Sequence, residues 1–364
     1  MSAKDLTIVI PTFNENDNVE ELLAKLDNCL QGIDWEAVFV DDDSPDGTAE
    51  HVFTLNQDNP KVRCLKRVGR RGLSSACIEG ICSSSAPYVA VMDADMQHDE
   101  TILPAMLTKL KDEDLDLVIG SRFTEGGSTG VGLPGIRLQM SLFATWLGVN
   151  LLGVKTTDPM SGFFMLKRSF FYNVVHHLSG KGFKILLDVM ASSKTEIKFG
   201  EVGYQMRARE HGDSKLDSVV LWEYLLLLCE KTIGKFIPVR FIFFVAMGLL
   251  GAIVHLIILL SAYNVWNVSF IAAQTTAVIV AMTINYFLNN AFTYSDRRNK
   301  GSALFKGLLI FYLSCASGAA INIMVAKYLF DYSLPVAVAG LLGAGVGAVW
   351  NYSLSSQYAW KSGK

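Results

Sequence analysis

Between Val91 and His98 the chain reads Val91-Met92-Asp93-Ala94-Asp95-Met96-Gln97-His98, with two carboxylates and a carboxamide at alternate positions behind an apolar run. In an extended backbone alternate side chains share one side, so a strand continued through this segment would gather Asp93, Asp95 and Gln97 as hard oxygen ligands. Mg²⁺ or Mn²⁺ favours such oxygens and bridges carboxylates to substrate phosphates. A lone Asp-x-Asp also serves as a solvated turn; placement directly after apolar residues, together with the neighbouring motifs, favours the metal. Pro11-Thr12-Phe13-Asn14-Glu15 follows the apolar run Leu6 to Ile10, and Asp41-Asp42-Asp43-Ser44-Pro45-Asp46-Gly47-Thr48 follows Ala37 to Val40. A ring packed on a base, with a carboxylate accepting from its N–H groups, can grip a nucleoside. Ser44 or Asp46 can instead cap the next helix. Arg70-Arg71-Gly72-Leu73-Ser74-Ser75-Ala76 opens a helix, where free amides and cationic side chains suit a diphosphate.

The elements that must hold these residues alternate in type. Short β-branched runs at Leu6 to Ile10, Ala37 to Val40, Tyr88 to Met92 and Leu115 to Gly120 are separated by helical patterns at Val19 to Leu30 and Thr48 to Asn56. That is the pattern of βαβ units and of one largely parallel sheet. Ligands bind such sheets at the carboxyl ends of the strands, and each polar motif above follows a strand. The formal net charge is -3 over 364 residues, so nothing in the balance points to nucleic acid. Six scattered cysteines without C-x-x-C spacing fit neither a zinc site nor a disulfide framework, and suit a reducing cytoplasm. The short apolar run after Met1 is too brief for a signal peptide.

Beyond Lys235 the composition changes. Four apolar stretches, Phe236 to Tyr263, Val268 to Phe292, Leu304 to Phe330 and Leu334 to Tyr358, each reach the length needed to span a bilayer. Lys231, Lys235 and Arg240 precede the first, Arg297, Arg298, Lys300 and Lys306 fill the second loop, and Lys361 and Lys364 end the chain, whereas the first loop is uncharged. The positive-inside rule then puts the catalytic part and both termini in the cytosol. Asn285-Tyr286-Phe287-Leu288 is echoed by Asn351-Tyr352-Ser353-Leu354, and Gly251 to His255 by Gly318 to Asn322, as expected of two duplicated hairpins. Asn285, Asn289, Asn290 and Asn351 would line a path for a lipid headgroup or bond helix to helix. The expected organisation is a cytosolic α/β domain over 1–216, an interfacial connector helix over 217–235 and an all-α transmembrane domain of four helices over 236–364.

Eight motifs in order, from Pro11-Thr12-Phe13-Asn14-Glu15 and the acidic cluster through Gly72-Leu73-Ser74-Ser75-Ala76, Asp93 to His98, Gly120-Ser121-Arg122, Asp158-Pro159-Met160-Ser161-Gly162-Phe163-Phe164 and Gly182-Phe183-Lys184-Ile185-Leu186 to Gly212-Asp213-Ser214-Lys215-Leu216, resemble dolichyl-phosphate (polyprenyl-phosphate) mannose synthases. The resemblance covers residues 1 to about 235, and the remaining spans resemble the small four-helix membrane family associated with polyprenyl-linked sugars. It implies an inverting family 2 glycosyltransferase with a Rossmann-like GT-A fold. It further implies that Pro11, Phe13, Glu15, Asp42, Arg71, Gly72 and Asp93 bind the nucleotide sugar, GDP-mannose, or UDP-glucose as the main variant. Asp93, Asp95 and Gln97 would surround the metal. Arg122, Arg137, Ser141, Arg209 and Lys215 would meet the phosphate of the polyprenyl lipid, with Asp95, Arg122, Arg209, Lys215 and Asp188 carrying catalysis. Two positions depart from the family pattern: Phe13 replaces a tyrosine, and Asp188 replaces a glutamate. Of the two candidates before Gly212, Arg209 fits the R-x-x-G spacing better than Arg207.

The chemistry agrees with the lack of a nucleophile-base pair. A phosphate monoester has a second pKa of about 6, so near neutrality the acceptor oxygen is already an anion, and what the protein must manage is charge. The acceptor's tail requires work at a bilayer surface. The apolar segment from Gly135 to Leu152, interrupted by Arg137, suits an interfacial helix or ordinary core. A lipid-linked-sugar flippase or a scaffold that only senses nucleotide sugar is the alternative from another class.

Overall fold

The computed structural model describes residues 4–130, 145–180, 182–208, 218–232, 239–294 and 298–346. The chain forms two compact units, Met1–Thr232 and Ile233–Lys364.

The first unit is built on a seven-stranded sheet in the order β3-β2-β1-β4-β6-β5-β7. Its strands are β1 (Leu6–Thr12), β2 (Trp35–Asp41), β3 (Val62–Lys66), β4 (Tyr88–Val91), β5 (Leu117–Ser121), β6 (Phe164–Lys167) and β7 (Phe199–Gly203). All pairings are parallel except those of β6, which runs antiparallel to β4 and β5. The four strands expected from the sequence are present; β3, β6 and β7 are additional. Helices α1 (Val19–Cys29), α2 (Thr48–Asp58), α3 (Leu73–Ser83) and α4 (Leu103–Asp112) make the crossovers. Both faces of the sheet are covered, which is why its strands read as unbroken apolar runs. Ile8, Ile10 and Phe39 pack against Leu22, Leu26 and Met106 on one face. Val9, Val38 and Val40 pack against Ala76, Cys77 and Ile81 on the other. Antiparallel β6 has a consequence for function. It enters the sheet from the edge where the parallel strands end, so the segment before it, Asp158 to Phe163, joins the motifs that follow β1, β2, β4 and β5.

Farther along are α5 (145–152), α6 (Arg168–Val174), α7 (Ile185–Ser192) and α8 (Ser218–Thr232). The apolar residues of α5 divide: Trp146 and Leu151 are exposed, while Leu147 and Leu152 pack on the core. Helix α8, expected as an interfacial connector, sends Tyr224, Leu227 and Leu228 into the same cluster as Ile185, Leu187 and Val189 of α7. Lys231, one of the cations that precede the first apolar stretch, pairs within the first unit with Asp188, 2.7 Å away. A nearby carboxylate and apolar cover retain it there.

The second unit contains α9 (Val239–Leu260), α10 (Phe270–Leu288), α11 (Ser302–Asp331) and α12 (Val336–Val346). Ala246–Val265, Phe270–Thr293 and Ser302–Asp331 are long and apolar enough to cross a membrane. Only 334–346 of the fourth expected span falls within the described residues. Leu249, Ile253 and Ile257 form an exposed stripe at helical spacing on α9, whereas polar side chains turn inward. Gln274 Nε2 donates to Asn322 Oδ1 at 3.0 Å. Asn290 and Asn299 exchange two hydrogen bonds, 2.9 and 3.1 Å, tying the end of α10 to the segment before α11. Asn289 donates to the Asn285 carbonyl at 2.9 Å. The amides of Asn289 and Asn290 thus serve internal bonds, as hydrocarbon surroundings demand; Asn351 lies outside the described residues.

Candidate active site at the carboxyl edge of the sheet

The Asp93–Gln97 strip begins where β4 stops. The strand ends at Val91, the backbone bends over residues 94–96, and Met96 has a left-handed φ of 62°. Continued extension, the sequence-based reason for grouping Asp93, Asp95 and Gln97, is therefore corrected to a turn. Asp95 Oδ1 accepts from the Gln97 backbone N–H at 3.2 Å, closing that turn. Gln97 Nε2 lies 3.4 Å from the Arg207 carbonyl, which commits its nitrogen and leaves its oxygen as the atom a cation could use. His98 Nδ1 accepts from the Asp93 N–H at 3.1 Å while its ring stacks on Phe163, centroids 5.1 Å apart. A Cβ at Gly162 would stand 3.1 Å from Asp93 Oδ2 and 3.3 Å from His98 Cε1, so the loop before β6 approaches this closely because it has no side chain there.

The two acidic and aromatic motifs after β1 and β2 lock together. Asp41 accepts from the Ser44 N–H (2.9 Å) and hydroxyl (2.5 Å), and Ser44 Oγ in turn accepts from the Asn14 N–H at 3.0 Å. Asp46 accepts from the Thr48 and Asn16 N–H groups at 3.0 and 3.1 Å. Partial burial pushes the Asp46 carboxyl upward, but these bonds outweigh it and hold its pKa below the ordinary value. The capping role expected of this cluster thus falls to Asp46. Asp42 turns instead toward α3: one oxygen meets the buried Arg67 guanidinium and the other accepts from the Gly72 N–H at 2.6 Å. Arg67 also donates to Ser75 Oγ at 2.6 Å and to the Gly72 carbonyl at 3.2 Å, and its Nε lies 3.3 Å from Glu79 without hydrogen-bond alignment. Gly72 has φ 140°, a backbone state closed to most side chains. Asp42 and Arg67 therefore set the first turn of α3, where the sequence leads one to expect a diphosphate. The Arg71 guanidinium packs over the Phe13 ring, 4.2 Å from its centroid, so two residues assigned separately to diphosphate and base form one unit. Pro11 is buried in β1 beside Val40, and Glu15 accepts from Asn18 Nδ2 at 2.7 Å.

At the end of β5, Arg122 pairs with Asp158. Nε and Nη2 each donate at 2.7 Å to a different oxygen, and the Arg122 N–H adds a third bond at 3.2 Å. Asp158 has no exposed surface. Burial alone would lower the Arg122 pKa, but Asp158 outweighs it and raises it, so the cation persists. Asp158 is held by its own loop, in which Thr156 and Thr157 bond to Glu201 of β7 at 2.5 to 2.7 Å. Tyr204 meets this region from β7's end. Burial pushes its phenol up, Arg122 opposes, and Asp158, Asp93 and Asp95 add to the rise, so these four charges converge on one ring. Lys184 joins them: burial lowers its ammonium's pKa, Arg122 lowers it further, and Asp158 and Asp93 pull the other way.

The match to known proteins runs nearly the whole length of the chain. The model of glycosyl transferase family 2 covers residues 7–175, and that of the GtrA/DPMS transmembrane domain covers 243–360. A dolichol-phosphate mannosyltransferase of Pyrococcus furiosus is 34% identical over 98% of this chain and 99% of its own. The chain belongs to the dolichol-phosphate mannosyltransferase family. The family's protein from Saccharomyces cerevisiae is 31% identical over 64% of this chain and 88% of its own. Glucosyl-3-phosphoglycerate synthase of Mycobacterium tuberculosis, solved with Mn²⁺, UDP and glucosyl-3-phosphoglycerate, is 18% identical with a TM-score of 0.47, over 63% of this chain and 80% of that one. This family member is thus a glycosyltransferase with a GT-A catalytic unit, and a membrane protein.

Within this mannosyltransferase family member the expected site residues have different surroundings. Phe13, Asp42, Arg71 and Gly72 are drawn together around the start of α3, and Asp93, Asp95 and Arg122 around Tyr204. Asp188 is wholly buried in α7 and faces Ser179, Gly180, Ser192 and Lys231. Arg207 pairs with Asp99 and Glu100 at 2.7 and 2.6 Å. Arg137, Ser141, Arg209 and Lys215 lie outside the described residues. Sequence reasoning missed Arg67, which belongs to no motif, and Lys184, which lay within a quoted motif but was given no role.

Proposed function

We propose that this chain transfers mannose from GDP-mannose onto the phosphate of a dolichyl or other polyprenyl lipid, with inversion at the anomeric carbon. The reaction takes place at the cytosolic membrane face. The observation that carries the reading is the meeting at one sheet edge of the Asp93 turn after β4, packed against Gly162, with the Arg122–Asp158 pair after β5, in a chain aligned end to end with a dolichol-phosphate mannosyltransferase. Convergent anionic and cationic groups of this kind suit a phosphate-to-phosphate exchange.

The oxygens at Asp93, Asp95 and Gln97 fit a hard divalent cation, Mg²⁺ or Mn²⁺. Asp93 keeps 38% of its side chain exposed, and the Gln97 nitrogen is already committed, so oxygens are what the strip offers. Donor phosphates and water would complete its shell. When bound, the cation would offset charge on the departing nucleoside diphosphate.

The chain's own residues do the rest. The Phe13–Arg71 unit and the Gly72 turn receive base and diphosphate, the latter at the amino end of α3. Arg122, fixed in a plane by Asp158, presents its remaining N–H groups to the acceptor phosphate, and Arg137, Ser141, Arg209 and Lys215 are assigned to the same anion. The acceptor oxygen is already ionised near neutrality, so orientation and charge balance suffice without a strong base. Asp188 acts through neighbours and not on the substrate. Membrane helices anchor the chain in the bilayer that holds its lipid substrate, with Arg298, Lys300 and Lys306 on the cytosolic side.

The test is turnover by full-length protein given a polyprenyl phosphate and a panel of nucleotide sugars, with the product's anomeric configuration determined. Selective use of GDP-mannose with inversion is expected. Turnover of UDP-glucose alone overturns the donor assignment, and retention overturns direct displacement. Absence of transfer, together with movement of a lipid-linked sugar between leaflets, would make the chain a transporter.

A further inference from the structure

Lys184 stands just before α7, half-buried, in a segment that starts at Ser179. Among the described residues its ammonium has no hydrogen-bonded or ion-paired partner. The carboxylate best able to serve, Asp158, has both oxygens engaged by Arg122. A long cationic side chain confined without a partner loses both hydration and rotamer freedom, so its placement calls for an anion brought by substrate. The segment also touches the donor side: the Gly182 carbonyl accepts from the Ser74 N–H at 3.2 Å, at the first turn of α3. Behind it sits a lock. Asp188 Oδ2 accepts from the N–H and hydroxyl of Ser179 at 2.8 and 2.7 Å and from the Gly180 N–H at 3.4 Å. Its Oδ1 meets Lys231 Nζ at 2.7 Å, and Lys231 also donates to the His177 carbonyl at 2.9 Å and to Ser192 Oγ at 2.7 Å.

We propose that Lys184 binds the diphosphate of the nucleotide donor and that the buried Asp188–Lys231 pair is its positioning lock, acting through Ser179 and Gly180, which precede it in the chain. Lys184 is then a catalytic residue, touching the leaving group, whereas Asp188 and Lys231 act through it. The inference rests on the glycosyltransferase reading above.

The experiment has two arms, both on the full chain in detergent. In the first, binding of the nucleoside diphosphate is titrated directly, independently of turnover, for wild type, Lys184→Met and Lys184→Arg. Lys184→Met should weaken binding by about 10- to 100-fold, the range of one charge-assisted hydrogen bond, and Lys184→Arg should recover part of it. Unchanged nucleotide affinity, or an effect confined to the KM for polyprenyl phosphate, overturns the donor assignment. Wild type that binds nucleotide but transfers no sugar would defeat the functional reading while leaving this arm intact. In the second, Lys231→Met and the milder Ser179→Ala are combined with Lys184→Met. Each should weaken nucleotide binding in wild type and add almost nothing in the Lys184→Met background, because both routes remove one contact. Equal losses in both backgrounds would mean a general structural role and overturn the lock. Ser179→Ala leaves the ion pair in place, so the question stays answerable if Lys231→Met fails to fold.

Discussion

Replacing Asp158 by alanine removes the acceptor for three donors of Arg122, at 2.7, 2.7 and 3.2 Å, and leaves a guanidinium in surroundings where its partner had no exposed surface. Breaking a buried pair from one side costs about 3–5 kcal/mol, because the remaining charge stays desolvated. For a unit of this size about 2–4 °C of melting temperature accompanies each kcal/mol, so Asp158→Ala should melt roughly 6–20 °C lower. The Arg122→Met/Asp158→Ala double variant removes the orphaned charge along with the pair and should regain part of that loss. Transfer should not return with stability, since the double variant has no guanidinium for the acceptor phosphate. Calorimetry or fluorescence melting of the detergent-solubilised chain, run beside a transfer assay at saturating donor, separates the two effects. A single variant melting within about 1 °C of wild type, or a double variant less stable than either single one by the full sum, would refute a coupled buried pair. Activity restored in the double variant would refute the phosphate role of Arg122.

Other outcomes follow from the same geometry. Asp95→Ala should abolish most transfer while lowering melting by only a few degrees, since the buried Asp95 lies beyond the end of β4 and its replacement gives up the bond from the Gln97 N–H without breaking a strand. Mn²⁺ binding followed by electron paramagnetic resonance should weaken in parallel, and near-normal turnover at saturating metal would sink the ligand assignment. A chain ending at Thr232 should fold and bind nucleotide, whereas one ending at Leu216 should be far less stable. The shorter chain lacks Tyr224, Leu227 and Leu228, each worth about 1.5–3 kcal/mol when fully buried, and strands Asp188 without Lys231; equal protease resistance of the two would refute this. Reporters after Asn299 should be cytosolic and one near Asn267 should lie across the membrane, and an outside reporter at Asn299 would overturn the orientation.

The helices at Val19–Cys29 and Thr48–Asp58 and the strands β1, β2, β4 and β5 were legible because periodicity and β-branched runs are local signals. The edge strands β3 and β7 and the antiparallel β6 were not, since each is short and no single face marks it. β6 matters most, because its direction brings the Asp158 loop to the site. Lys231 has a partner that local sequence does not announce. Its place ahead of an apolar stretch is read from the sequence, and only the fold reveals that a buried carboxylate 43 residues earlier in the chain pairs with it.

By itself the sequence determined the chemistry available: oxygen ligands after β4, cations and a glycine turn at α3, an acidic cluster after β2, and apolar segments of spanning length. These are properties of residue type and spacing along a few turns, and they survive any detail of packing. Tertiary structure decided which charges are spent on the protein itself. Asp42 is claimed by Arg67, Asp158 by Arg122 and Asp188 by Lys231, partners 25, 36 and 43 positions apart. A carboxylate that must be paired when buried and one left for substrate have the same local sequence. What separates them is burial and the approach of a distant cation, quantities that exist only once the chain has folded.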